Sequence, residues 1–176
     1  TGPNTGGMGS VSHPPFVDAD MMAKVEQKVI KPTLRGIQSR NLDYKGFIFI
    51  GLISVENEPY VIEYNCRMGD PETQSVMARL NSDMVQLCLE TADGELATAT
   101  VDIDDRQAAT IVLVSGGYPG AYEKGKVISG VELVKDSMVF HAGTKRNDAG
   151  ALVTNGGRVL AVTSYGETFE QALALS

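Results

Sequence analysis

The sequence predicts an α+β fold in which helices and an antiparallel hairpin come first and a small β-rich region follows. In the first hundred of the 176 residues, apolar residues recur at helical spacing on either side of one continuous apolar run, residues 46–55. That run and residues 60–65 flank a turn, which predicts a hairpin. From about residue 107 onward, short β-rich runs alternate with glycine-rich turns, a pattern typical of a small antiparallel sheet or open barrel. We therefore divide the chain into domains at residues 1–100 and 101–176.

Composition narrows the class of protein further. Apolar residues make up 43% and charged residues 21%, which is typical of soluble globular proteins. The net charge of −7 predicts an acidic surface and argues against a nucleic-acid partner. Two cysteines make no disulfide framework, and the sequence contains neither a leader pattern nor an apolar run of membrane-spanning length. We expect a cytoplasmic protein with reduced thiols and no membrane partner.

The N-terminal third is predicted to be a loop followed by a divided helix. Residues 1–15 are rich in Gly, Pro, Ser and Thr, which predicts a loop. Asp18 or Asp20 can cap the following helix. Pro32 should kink or divide that helix because proline has no backbone N–H.

Further helices and strands follow from local signals. Asp70 suits a helix cap with Pro71 as the first helical residue, and a second helix should begin after Asp83 and end near Gly94. The sequence resumes a helical pattern at residues 168–175, where it breaks off as if cut from a longer protein. The β-rich runs that predict strands are residues 109–115, 138–141, 151–154 and 158–164.

A carboxylate and an amide oxygen stand two residues apart at the end of the second hairpin strand. Side chains alternate along a strand, so Val61, Glu63 and Asn65 are predicted to share one face, and Cys66 should be a packed thiol on the opposite face. Both Glu63 and Asn65 offer the hard oxygen ligands that Mg²⁺ prefers. The alternative is that they merely face solvent on a half-exposed strand. The residues predicted to face apolar packing are Tyr60, Ile62 and Tyr64.

The turn that follows this strand offers a candidate anion site. Arg67 precedes the helix start at Asp70, and an arginine beside free helix N–H groups can clamp an anion. Glu72 can complement the helix dipole. The alternative is that Asp-Pro-Glu is only a favourable helix start.

A glycine-rich segment near the N-terminus is the second candidate site. Its glycines would let backbone N–H groups approach a ligand closely, although it lacks the Gly-Lys-Ser/Thr ending of a P-loop. The alternative is a flexible connector. A second segment, residues 120–126, has P-loop spacing but is rejected because Val127 replaces the required Ser or Thr. The candidate substrate-binding residues are Asn4, Thr5, Gly6, Gly7 and Gly9.

The stretch Arg67-Met-Gly-Asp-Pro-Glu-Thr-Gln74 resembles the signature of the glycinamide ribonucleotide synthetases, also called phosphoribosylamine–glycine ligases. Met68 departs mildly from the family, which more often has Phe or Leu there. Other blocks resemble the family in the same order along the chain: residues 2–9, 46–52, 115–120, 140–145 and 153–160.

The resemblance implies a fragment of an ATP-grasp ligase of purine biosynthesis. Residues 1–100 would be the C-terminal part of the ATP-grasp domain, a partial core of antiparallel sheet and helices. Residues 101–176 would be the β-rich C-terminal domain, with its last helix truncated. The enzyme would use ATP to convert glycine to glycyl phosphate, and the amine of 5-phosphoribosylamine would then attack to give glycinamide ribonucleotide, ADP and phosphate.

The resemblance also implies site roles and partners. Glu63 and Asn65 match the family's ligands for Mg²⁺ (or Mn²⁺), and Arg67, Asp70 and Glu72 match its active-site turn. The partners would be ATP, glycine, 5-phosphoribosylamine and the missing N-terminal part of the same chain, without which the fragment should be inactive.

Two other functions remain open from the sequence. One is an ATP-grasp enzyme with another substrate, such as a purine-pathway carboxylase, against which the arginine turn and the Asn-Gly-Gly-Arg158 segment argue. The other is a non-catalytic module that binds a partner or carries a swinging cofactor. A carrier needs an exposed lysine in a tight hairpin, and Lys124, Lys126 and Lys145 do not stand in that setting.

Overall fold

The structure, a computed structural model, describes residues 2–176 and has the predicted α+β character. The helices are α1 (Ala19–Val25), α2 (Lys31–Ser39), α3 (Glu72–Arg79), α4 (Met84–Asp93) and α5 (Phe169–Leu175). The strands are β1 (Gly9–Ser12), β2 (Phe49–Val55), β3 (Glu58–Asn65), β4 (Gln107–Val114), β5 (Ser137–His141), β6 (Thr144–Arg146), β7 (Leu152–Thr154) and β8 (Arg158–Gly166). None of the helices in this described part combines the length and apolar character needed to cross a membrane.

The chain forms two compact units that alternate along the sequence. We call the first the sheet unit; it comprises residues 2–12, Asp70–Arg79 and Asp104–Ser176. The second, the hairpin unit, comprises His13–Gly69 and Leu80–Ile103.

The hairpin unit begins with a helix whose type changes before a proline. Between α1 and α2 lies one π-helical segment, Glu26–Ile30. Because Pro32 has no N–H, the carbonyl of Lys28 cannot accept the bond that an α-helix would make there. In the same turn, the Thr33 hydroxyl donates to the next carbonyl, that of Val29, at 2.7 Å. The predicted division at Pro32 is confirmed, as a change of helix type.

Strands β2 and β3 form the predicted antiparallel hairpin, with one irregularity. Gly51 pairs with Glu63 but Leu52 pairs with Val61, so Ile62 is an extra residue that forms a β-bulge. Neighbouring residues on β2 face opposite ways, and cross-strand partners face the same way. Val61 and Glu63 therefore lie on opposite faces, and the prediction that they share one is wrong.

The β-rich region forms the predicted antiparallel sheet in the sheet unit. Its strand order is β1-β4-β8-β5, and β6 pairs with β7 in a separate hairpin. The central strand β8 is mostly buried, as its apolar run Val159–Val162 requires. Strand β1 was not predicted: residues 1–15 were expected to be a loop, but Gly9–Ser12 pairs antiparallel with residues 108–111 of β4. A strand that depends on a partner about a hundred residues away leaves little local signal.

Helix caps agree with the sequence except at the proline turn. The Asp18 and Asp83 side chains accept hydrogen bonds from the first turns of α1 and α4, and Gly94 ends α4 in the left-handed conformation. Helix α3, in contrast, begins only at Glu72. Pro71 lies in the preceding turn, after a cis peptide bond, and is not the first helical residue.

A chain of buried hydroxyl groups ties the proline turn to the sheet. Ser10 donates to the carbonyl of Pro71, and successive hydroxyl contacts then lead through Ser75 and Thr110 to Thr163, each 2.8 Å long. A hydroxyl has one proton. Because Ser10 spends its proton on the carbonyl, Ser75 must donate to Ser10, Thr110 to Ser75, and Thr163 to Thr110. Only this direction of donation gives every hydroxyl group of the network an acceptor for its proton.

We expect Thr110→Val to destabilise the protein although it preserves side-chain shape. Thr163 would lose its acceptor while it is fully buried, which typically costs about 1–3 kcal/mol. Chemical denaturation of the purified chain measures the change. Ser39→Ala is the control, because the exposed Ser39 hydroxyl makes only a 3.3 Å contact within α2. Equal stability of the two variants would show that the hydroxyl chain contributes nothing.

Candidate functional site

In the sheet unit, the glycine-rich segment lies against residues from distant parts of the chain. The Gly6 N–H donates to the Tyr118 hydroxyl at 3.0 Å, and the Gly7 carbonyl accepts from Arg158 at 3.2 Å. Arg158 also donates to the Asp70 carbonyl at 3.2 Å. We call this arrangement the glycine-loop cluster; it consists of Gly6, Gly7, Asp70, Tyr118 and Arg158.

An ion pair forms the centre of the glycine-loop cluster. The Arg158 guanidinium lies 2.8 Å from Asp70 Oδ2, and the Arg158 side chain is 26% exposed. The other oxygen of Asp70 accepts from the Gln74 amide at 3.0 Å. Sequence reasoning singled out Asp70 but not its partner Arg158, which lies 88 residues away.

Close neighbours explain why three positions of this segment are glycine and carry no side chain. A Cβ on Gly7 would lie 2.4 Å from the Pro71 ring, and a Cβ on Gly9 would lie 2.7 Å from the carbonyl oxygen of Thr110. A Cβ on Gly6 would lie 2.8 Å from the Arg158 guanidinium carbon. The glycines therefore allow close packing within the sheet unit, a reason that sequence alone did not reveal.

The same segment keeps backbone donors available. Within residues 2–176, no group accepts a hydrogen bond from the N–H of Thr5 or Gly7. Asn4 is exposed, as are its neighbours. The segment can therefore offer N–H groups to an anionic ligand while the cluster holds its backbone.

The turn before α3 contains a further unpartnered acceptor. Gln74 Oε1 is buried and has no hydrogen-bond partner within the described residues. Buried polar atoms are almost always bonded, so this oxygen calls for a donor from a ligand or water. Glu72, the first residue of α3, makes no ion pair within the same described range. Its carboxylate is free to meet a ligand.

In the hairpin unit, Glu63 and Asn65 lie on one face of β3, beyond the bulge. Gly51 pairs with Glu63, and a Cβ at Gly51 would lie 3.0 Å from Glu63 Cγ, so the missing side chain makes room for the glutamate. Neither side chain is hydrogen-bonded or ion-paired within the described part of the chain. Two uncommitted oxygen donors on a strand end fit a cation that takes its remaining ligands from water and substrate.

The donor set also limits the kind of metal site. Among residues 2–176, no group of three or more His, Cys, Asp or Glu side chains is arranged to hold a metal ion. Structural zinc sites need three or four such ligands, whereas Mg²⁺ takes one or two carboxylates together with waters and phosphates. The oxygen atoms of Glu63 and Asn65 are donors of the kind that such a hard cation takes.

Arg67 and Cys66 follow β3 in the hairpin unit. Arg67 donates to the Met68 carbonyl at 2.9 Å and leaves most of its guanidinium exposed. The prediction that Cys66 is a buried, packed thiol is wrong, because β3 ends at Asn65 and Cys66 is exposed. It borders a cavity of about 680 Å³ beside Tyr44. Desolvation and contact with this thiol raise the pKa of Tyr44.

Comparisons with family models and solved structures identify the fold class of this protein. Residues 1–73 match the family model described as phosphoribosylglycinamide synthetase, ATP-grasp (A) domain, and residues 108–176 match the model of the C domain of the same synthetase. The structure also resembles N5-carboxyaminoimidazole ribonucleotide synthetase from Thermus thermophilus, with a TM-score of 0.61 at 16% identity over 96% of this chain and 41% of that chain. That likeness concerns the fold alone. The fold class is that of the ATP-grasp enzymes.

More similar proteins narrow the class to one family. The chain is 52% identical to a phosphoribosylamine–glycine ligase of Yersinia pestis over 98% of its own length and 41% of the relative's. A crystal structure of the Thermotoga maritima phosphoribosylamine–glycine ligase superposes with a TM-score of 0.81 at 40% identity, over 98% of this chain and 42% of that one. The chain belongs to the phosphoribosylglycinamide synthetase family. It spans about two fifths of the length of these relatives.

Proposed function

We propose that this chain is the C-terminal part of a carbon–nitrogen ligase of purine biosynthesis. The complete enzyme joins glycine to 5-phosphoribosylamine and gives glycinamide ribonucleotide, ADP and phosphate through glycyl phosphate. The observation that carries the proposal is the 52% identity to a phosphoribosylamine–glycine ligase over 98% of the chain. Residues 1–100 are then the end of the ATP-grasp domain, and residues 101–176 are most of the C-terminal domain.

Glu63 and Asn65 are proposed to hold Mg²⁺, or Mn²⁺ in its place. Support comes from their shared face on β3 and from their freedom from other partners in the described residues. The bound cation would neutralise charge on the transferring phosphoryl group. Strand β3 pairs with β2 on both sides of the bulge, and Glu63 and Asn65 are opposite Gly51 and Phe49, so the hairpin gives both side chains a rigid base.

Arg67, Asp70 and Glu72 are proposed as the active-site turn. Arg67 has guanidinium N–H groups free for a phosphate or carboxylate. Glu72 has a free carboxylate that can accept from an amine. Asp70 is already bonded by Arg158 and Gln74. Its part is to hold the turn and the Gln74 amide in place.

The glycine-rich segment is proposed to bind substrate through its backbone. Thr5 and Gly7 have unbonded N–H groups among the described residues, and such groups bind phosphate or carboxylate oxygens. ATP, glycine and 5-phosphoribosylamine all carry such oxygens. The proposed substrate-binding residues are Asn4, Thr5, Gly6, Gly7 and Gly9.

The missing N-terminal part of the chain is the proposed macromolecular partner. The relatives are more than twice as long as this chain. Apolar residues of the hairpin, expected from sequence to be packed, are each more than half exposed here, which supports a covering segment. These residues are Ile53, Tyr60, Ile62 and Tyr64. For the assembled enzyme we propose a cytoplasmic location, supported by two cysteines that form no disulfide.

We expect the complete protein to form ADP, phosphate and glycinamide ribonucleotide in equal amounts, and only when ATP, glycine and 5-phosphoribosylamine are all present. The isolated 176-residue chain should release no phosphate above background, because nothing encloses the nucleotide. Coupled ADP detection and chromatography of the product measure both. A complete protein that turns over equally well without glycine would contradict the proposed function.

We expect Glu63→Gln in the complete protein to reduce turnover far more than Asn65→Asp. The first change removes a charged ligand at constant size, whereas the second keeps an oxygen ligand. Steady-state kinetics across a Mg²⁺ titration give the effect, which should be at least about tenfold for Glu63→Gln if one charge-stabilising interaction is lost.

The matched control is Glu56→Gln, a glutamate in the exposed β2–β3 turn. Thermal melts of all variants check folding. Near-normal turnover and Mg²⁺ dependence in a folded Glu63→Gln variant would contradict its role as a metal ligand.

A further inference from the structure

We propose that Arg158, assisted by Tyr118, is a positioning residue that holds the glycine-rich segment in its binding conformation. The inference rests on the proposed function of that segment as a substrate-binding loop. Neither residue was singled out as a site residue by the sequence. Both belong to the C-terminal part of the sheet unit, far along the chain from the loop that they contact.

Arg158 joins the loop to the proline turn. One guanidinium nitrogen donates to the carbonyls of Gly7 and Asp70, both at 3.2 Å, and the other donates to the Asp70 carboxylate at 2.8 Å. A planar guanidinium presents these donors in a fixed fork, which a lysine cannot reproduce. Arg158 thereby fixes the position of Gly7 relative to the turn that contains Asp70.

Tyr118 holds the residue next to it. Its hydroxyl accepts the Gly6 N–H at 3.0 Å. The tyrosine ring lies over Gly157, where a Cβ would come within 2.2 Å of the ring. Gly157 immediately precedes Arg158, so the same short stretch of chain seats both the tyrosine and the arginine.

The loop has no other hydrogen bonds that fix it. Within the described chain, residues 2–7 make hydrogen bonds only to Tyr118 and Arg158. The sheet begins to hold the backbone at Met8, whose carbonyl accepts from the Val112 N–H at 3.0 Å. The orientation of the free N–H groups of Thr5 and Gly7 therefore depends on these two side chains.

The test uses the complete protein with Arg158→Met, Arg158→Lys and Tyr118→Phe. Arg146→Met is the matched control, since Arg146 is likewise an arginine that donates to a backbone carbonyl, that of Gly150, and it makes no hydrogen bond with residues 2–9. The first readout is hydrogen exchange of the Gly6 N–H, the one amide of residues 2–7 that is hydrogen-bonded within the described chain. Exchange should be about tenfold faster in Arg158→Met, as expected when a charge-assisted hydrogen bond is lost. The increase in exchange rate should be smaller in Arg158→Lys. Tyr118→Phe should also accelerate exchange, and Arg146→Met should not.

The second readout separates positioning from general stability. Loss of loop order should raise KM for a substrate by about tenfold with a much smaller change in kcat, because the loop binds but does not react. A protein that is merely less stable would lose active fraction, which lowers apparent kcat and leaves KM unchanged. The melting temperatures of the variants show whether such a general loss of stability has occurred.

Gly6→Ala tests the same contact from the loop side. Its Cβ would lie 2.8 Å from the guanidinium carbon of Arg158, so the end of that side chain would have to shift. We expect the change in KM to match that of Arg158→Met, and the double variant to be no worse than either single variant.

Unchanged exchange of the Gly6 N–H in Arg158→Met overturns the inference, whatever the activity of the protein, because exchange requires no substrate. Faster exchange with unchanged KM for ATP, glycine and 5-phosphoribosylamine also overturns it, since the loop would then not present substrate. If the unmodified protein makes no glycinamide ribonucleotide, the proposed function fails, and exchange alone decides whether Arg158 orders the loop.

Discussion

The sheet unit depends on a buried chain of hydroxyl groups whose direction of donation is fixed. Ser10, Ser75, Thr110 and Thr163 come from four separate elements, and each spends its single proton on the next group toward the Pro71 carbonyl. A buried network of this kind is stabilising only when every member is satisfied, so it tolerates one arrangement of the strands and α3. The sheet therefore holds the proline turn, in addition to the local bond from Gln74 to Asp70.

The glycine-rich segment shows how packing and function can demand the same residue. Gly7 has no room for a side chain beside Pro71, and Gly9 has none beside the Thr110 carbonyl. Yet the segment leaves the Thr5 and Gly7 N–H groups without partners in the described residues. A substitution at Gly7 would therefore disturb packing as well as any ligand contact, and its phenotype alone could not assign a binding role. Substitutions at Arg158, which lies outside the loop, separate the two effects.

Local patterns predicted the parts of the structure whose causes are local. The caps at Asp18 and Asp83, the change of helix at Pro32 and the β2–β3 hairpin follow from signals within a few residues. Strand β1 and the pairing of Arg158 with Asp70 depend on contacts across long stretches of chain, which leave no periodic trace. The bulge at Ile62 lies within the local hairpin, but strand alternation does not show where the pairing shifts by one residue. The motif around Asp70 identified the family, but the partner that orients Asp70 appears only once the chain is folded. The assigned roles of Glu63, Asn65, Arg67 and Glu72 stay predictions.

The central claim is the proposal that the complete enzyme activates the carboxylate of glycine by phosphoryl transfer. Glycine labelled with ¹⁸O in its carboxylate tests that claim directly in a turnover assay of the complete protein with ATP and 5-phosphoribosylamine. If glycyl phosphate forms, a carboxylate oxygen stays with phosphorus when the amine attacks the carbonyl carbon. Mass spectrometry should then find the label in the released phosphate. Unlabelled phosphate beside labelled glycinamide ribonucleotide would contradict the account.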